Sequence, residues 1–171
     1  RNPPTGGALH DYVIWATELP GISRAWAFDC WHGLGTVGLA WVYDQRTDII
    51  PTGTDRESMQ AYLFRHQDPV TGTYVGKPGG IEVWPIPLTL KPVPLTIRVI
   101  PDTAAIRSAV ILSLQALFRS VSPGDTLLLS AIRTAIGSST GVTDYELDLT
   151  TNQASENYEL LTLGAITWRI V

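Results

Sequence analysis

The apolar period of this chain changes from helical to alternating across one Pro-Gly pair, which commits it to mixed helix and sheet within thirty residues of its start. Residues 8–19, ALHDYVIWATEL, place Leu9, Tyr12, Trp15, Ala16 and Leu19 at spacings of three and four, one apolar stripe along a helix. Pro20 and Gly21 end that helix. From Ile22 the period is two, with Ile22, Trp26, Phe28 and Cys30 on one face and Ser23, Ala25, Ala27 and Asp29 on the other. WHGLG turns the chain, and residues 36–43 alternate again, so the two runs predict an antiparallel hairpin.

Further along, Thr54 followed by Glu57 has the form of a capping box and predicts a helix over about residues 55–66, with Met59, Tyr62 and Leu63 as its stripe. The next stretch, DPVTGTYVGKPGG, is rich in turn residues. Pro78, Pro85, Pro87, Pro92 and Pro94 then constrain IEVWPIPLTLKPVPL, which reads as an edge strand or extended connector because proline donates nothing to a ladder. Residues 95–100 are β-rich. Asp102 is expected to cap a long helix buried through Ile106, Val110, Leu114, Leu117 and Val121, widened by Ile111 and Phe118. TLLLS predicts a brief strand, and residues 130–138 a shorter helix. Gly141 leads into the alternating VTDYELDL, and LLTLGAITWRIV closes as a final strand.

The order helix, Gly turn, β-branched residue, strand, strand thus occurs twice, a weak internal duplication of pattern. The expected fold is α+β in two small subdomains, residues 1–90 and 91–171. Each holds a helix-turn-strand-strand unit packed with further helices over mixed or antiparallel sheets.

A hydrophobic fraction of 44% against 16% charged residues argues for a folded chain and against disorder. A formal charge of −4 and the lack of any Lys/Arg cluster remove the footprint that phosphate binding requires, so no nucleic-acid partner is expected. No window approaches the roughly eighteen apolar residues of a membrane span, and the polar opening RNPPTGG lacks a signal-peptide pattern, so no membrane partner is expected either. Arg1 is not an initiator Met, and the first helix begins within ten residues, which suggests a piece whose N-terminal part has been removed.

Candidate chemistry is weak throughout. GLGTVG, Gly33 to Gly38, spells a dinucleotide fingerprint, but its third Gly falls inside an alternating strand where a helix would be needed, so it reads as a hairpin turn. Asp29, Cys30 and His32 are near in sequence, yet alternation separates the first two and no second ligand cluster exists. Cys30, the only cysteine, reads as a small strand residue. His10 and Asp11 open a helix, where the carboxylate suits the positive end of the dipole, and His66 lies near the end of one, where a cation is favoured. Asp144, Glu146 and Asp148 share a strand face and could hold calcium, although such a row is more often a solvated edge. Ser23, Ser130 and Ser138 lack a nucleophile elbow or nearby His. The sequence therefore supports no catalytic residue, cofactor or metal and points to an assembly module. With six Trp in the chain, Trp31 at the hairpin tip and Trp84 in the proline-rich edge are the interface candidates, set against simple core packing.

The run RNPPTGGALHDYVIWATELPGISRAWAF, the hairpin WHGLGTVGLAWVYD, the helix after IPTGTDRESMQAYL, then PVPLTIRVIPDTAAIRSAV and LLLSAIRTAIGSSTGVTDYEL, resemble the C-terminal half of baseplate J-like proteins. These are Mu-type tail proteins of contractile-tailed phages. The resemblance implies a structural subunit of the baseplate wedge, without catalytic residues. It would contact other baseplate and tail proteins, and a second copy as a homodimer in the wedge, after being made in the host bacterial cytoplasm and assembled into the virion tail. The alternative is a tail-associated receptor or glycan-binding module that uses exposed aromatics.

Overall fold

The computed structural model describes residues 7–170, which fall into two units, Arg1–Pro87 and Leu88–Val171. The first contains α1 (Leu9–Glu18), β1 (Arg24–Asp29), β2 (Thr36–Val42), α2 (Gly53–Phe64), β3 (His66–Gln67), β4 (Tyr74–Val75) and β5 (Glu82–Pro85). The second contains β6 (Thr89–Ile100), α3 (Ala104–Arg119), β7 (Thr126–Leu127), α4 (Leu129–Gly137), β8 (Asp144–Leu147), β9 (Gln153–Ala154) and β10 (Glu159–Trp168). The fold is α+β, as the alternation of periods requires.

In the first unit the buried face of α1 is Tyr12, Trp15 and Ala16, and Asp11 holds its start by accepting the amides of Gly7 and Ala8. Gly21, at φ 85°, makes the turn into the sheet. β1 and β2 form the expected antiparallel hairpin, from Arg24 opposite Val42 to Asp29 opposite Val37. β2 is the central strand of the order β1-β2-β5 and is buried on both faces. Val37, Leu39, Trp41 and Tyr43 join Tyr12, Trp15, Met59 and Leu63 in one cluster, while the other face carries the small Gly38 and Ala40.

The cap of α2 lies two residues before the expected one. Thr52 accepts the Asp55 amide, and Asp55 returns the bond by accepting the Thr52 amide, while Arg46 grips the same carboxylate with two nitrogens at 2.6 and 3.1 Å. The guanidinium decides between two adjacent Thr-x-x-acid registers by holding Asp55 in place. The helix stops at Phe64, and the turn-rich stretch after it carries a short hairpin, β3 with β4, closed by Asp68 accepting from Val70 and Thr71.

In the second unit the sheet order is β10-β6-β8, with β10 parallel and β8 antiparallel to β6. Val93, Leu95, Ile97 and Val99 are buried at strict alternation along β6, and Ile106, Val110, Leu114 and Phe118 are the buried residues of α3, Ile132 and Ile136 those of α4. Residues 89–94, expected as an edge or connector, form the first half of β6, which pairs there with β10 alone. Even-numbered residues of β6 turn their backbone toward β8, since Thr96 O accepts from Asp148 and Ile100 O from Thr143. β8 pairs no further than Ile97, so the missing donors of Pro92 and Pro94 face an edge that no strand occupies among the described residues.

The cap of α3 is Thr103, whose side chain accepts the Ile106 amide, and not Asp102, which is drawn aside by two 2.6 Å bonds from Arg107. The order of the first unit recurs as α4, Gly141 at φ 89°, and β8. Its pairing does not: β8 and β10 lie on opposite sides of β6, so no second hairpin exists between them.

Candidate interface

The turn between β1 and β2 fixes Trp31 and His32. Cys30 (φ 53°), Gly33 (φ 101°) and Gly35 (φ 81°) take left-handed backbone, and the Thr36 hydroxyl accepts the His32 amide while donating to Gly33 O. GLGTVG is therefore turn and strand geometry, and Cys30 is an exposed turn residue where a strand residue was expected. The parallel register of β2 and β5 sets Gly38 beside Trp84. A Cβ on Gly38 would lie 2.6 Å from Ile86 Cδ1 and 3.0 Å from Trp31 Cγ, so the empty position of Gly38 is filled by these two side chains.

Both tryptophans singled out in the sequence meet at His32. Its ring centroid lies 5.8 Å from that of Trp31 and 4.7 Å from that of Trp84, each edge to face. Trp31 is half-buried, and Trp84 is 43% exposed.

Beyond Trp84 the sheet ends. Glu82 N and Ile86 N bond back to Gly35 O, just before β2, and to Leu39 O of β2, so the even residues of β5 face inward and the backbone of Val83 faces out. Along that outer edge runs a groove of about 370 Å³, lined by Leu63 and Phe64 of α2, by Val83 and Trp84, and by the charges of Lys77 and Glu82. Phe64 is 72% exposed. Next to it Arg65 lies 4.3 Å over the Tyr74 ring. Among the described residues neither Arg65 nor Lys77 has a carboxylate within ion-pair distance, and the Lys77 ammonium instead donates to Ile81 O. Sequence reading missed Phe64, Arg65, Tyr74 and Lys77. The available signal was the run Tyr62-Leu63-Phe64, because three consecutive helical residues span too wide an arc to share one buried face.

The other sequence candidates are structural. Glu146 and Asp148 are paired with Arg98 and Arg169 at 3.0 and 2.9 Å, and Asp144 accepts its neighbour's amide. Among the described residues no group of three His, Cys, Asp or Glu is placed to hold a metal ion. Ser23 bridges Val42 O and the Asp44 amide. His66 is buried, with Nδ1 on Tyr62 O at 2.8 Å, its ring stacked on Tyr62, and Nε2 3.4 Å from Glu18. Burial, with Glu18 accepting its hydroxyl, pushes the Tyr62 phenol up. No helix among the described residues is long and apolar enough to cross a membrane.

The fold defines the class first: a two-unit α+β protein with half-exposed aromatics at one sheet edge. Residues 4–87 match the Baseplate J-like central domain, and residues 93–169 match the Baseplate J-like protein C-terminal domain. The chain belongs to the baseplate J-like family. It is 42% identical over 168 residues to Baseplate protein gp47 of Escherichia phage Mu, a match that covers 97% of this chain and 47% of that protein. It is 39% identical to Mu-like prophage FluMu protein gp47 of Haemophilus influenzae, again over 97% of this chain and 47% of the relative. With Putative protein JayE of Escherichia coli it shares 34% identity over 96% of this chain and 60% of the relative. The chain thus spans about half the length of the two gp47 relatives.

Proposed function

We propose that this chain is part of a structural subunit of a phage tail baseplate and acts in the wedge, through contacts with other baseplate and tail proteins during assembly and contraction. The observation that carries the reading is the ordered match of the central and C-terminal baseplate domains to residues 4–87 and 93–169, joined to a 42% identical relative named as a baseplate protein. The aromatic cluster of Trp31, His32 and Trp84 supports it physically, because partly exposed Trp at a sheet edge offers large apolar area at small entropic cost. On this reading the chain works in the virion tail after synthesis in the host bacterium, and a second copy is one of its neighbours in the wedge.

Cross-linking mass spectrometry on purified virions or tails tests the proposal. Links from this chain to other tail proteins are expected. Absence of its peptides from the particle would sink the baseplate role. Saturable binding of a glycan to the chain, lost in Trp84→Ala, would favour the receptor reading instead.

A further inference from the structure

The outer edge of β5 is guarded at both ends. Lys77 caps the carbonyl of Ile81 at 2.6 Å, and Pro85 offers no N–H. Between them the N–H and C=O of Val83 face away from β2, toward the groove, which provides one donor and one acceptor at the spacing that an added strand uses. The groove's lining combines the apolar Leu63, Phe64, Val83 and Trp84 with the charges of Lys77 and Glu82, so the alternate residues of a strand laid there can meet apolar and charged surface in turn. The charges nearest this edge are unequal. A second depression shares Phe64 and Lys77 with the groove and adds Arg65 and Tyr74, so two cations without carboxylate partners among the described residues oppose the single Glu82. Arg24, Arg46, Lys91, Arg98, Arg107 and Arg169, by contrast, are matched to acids of this chain.

We infer that this groove takes an extended segment of another protein in which apolar and acidic residues alternate. The segment pairs with the backbone of Val83, seats an apolar side chain between Phe64 and Trp84, and sets a carboxylate against Lys77 and Arg65. The inference rests on the baseplate reading only for the segment's source, a neighbouring tail protein. The groove itself is tested on this chain alone.

The probe is a short blocked peptide alternating Asp and Val around a central Phe, titrated into the full chain and followed by the amide resonance of Val83 and by fluorescence anisotropy. Saturable binding with a shift at Val83 is expected. Arg65→Glu with Lys77→Glu should weaken it about tenfold, and a peptide with Lys in place of Asp should bind that variant better than it binds the parent. Arg65→Glu alone, an exposed change, provides the same readout if the Lys77 change disturbs the fold. Failure to bind, equal affinity for both peptides, or a Val83 resonance that does not move would overturn the inference and leave the baseplate role standing. A dimer of this chain that dissociates in Trp84→Ala would overturn it in favour of a second copy as the occupant.

Discussion

Gly38 and Trp84 face each other across the parallel pair β2 and β5, and the side chain that Gly38 lacks is the space in which Trp31 and Ile86 lie. A glycine read in the sequence as one position of an alternating strand thus supports the aromatic cluster. Gly38→Ala is expected to cost about 1 kcal/mol, since the flexible Ile86 terminus can yield, and Gly38→Val about 2–3 kcal/mol, since the rigid Trp31 ring must move as well. Urea denaturation gives the cost. A change in tryptophan emission in the folded state would locate it at Trp31.

Trp84 is 43% exposed, so close to half of its surface is left for contacts outside this chain. Trp84→Ala should lower the melting temperature by only a few degrees, while cutting recovery of the chain in purified tail particles several-fold. A large loss of melting temperature with normal recovery would mark Trp84 as a packing residue.

The start of α2 should be sensitive to acid. Hydrogen bonding by the Arg46 guanidinium, followed by the amide and hydroxyl of Thr52, holds the Asp55 carboxyl well below the usual carboxylate range. Because the folded-state value is depressed, the added stability is complete above about pH 4 and is lost as pH falls toward the folded-state value. Asp55→Asn keeps a capping acceptor but loses the charge. It should therefore cost about 1 kcal/mol at neutral pH, limited by the exposure of Arg46, and the gap to the parent should close in acid. Denaturation midpoints across that range measure the convergence.

These cases show why some of the fold was legible and some was not. The α1 stripe, the β1-β2 hairpin and the buried face of α3 are set by local period, which survives into the structure. The caps at Thr52 and Thr103 were displaced from the expected Thr54 and Asp102 by Arg46 and Arg107, long side chains whose reach no spacing rule encodes. Trp31 and Trp84 stood out as tryptophans in a turn and in a strand, but their meeting on His32 depends on the register of β2 against β5. Phe64 was passed over, although three consecutive apolar residues, Tyr62 to Phe64, span too wide an arc of a helix to share one buried face.

The prolines of β6 permit the sharpest contrast. Pro94 turns its nitrogen toward the side where β8 has already stopped, so Pro94→Ala adds a donor that faces no strand among the described residues. It should cost less than about 1 kcal/mol, mainly by loosening the unfolded chain. Across the other side of the same position, Gly164 lies in the irregular stretch of β10 between Leu163 and Ile166. A Cβ there would come within 2.8 Å of Val93 C and 2.9 Å of Pro94 N, and backbone atoms have no rotamer by which to retreat. Gly164→Ala should therefore force β6 and β10 apart and cost about 2–3 kcal/mol, with faster amide exchange along residues 160–163. Equal, small costs for the two substitutions would show that the β10 irregularity yields freely, and that the close approach of Gly164 to β6 is not what holds these strands in register.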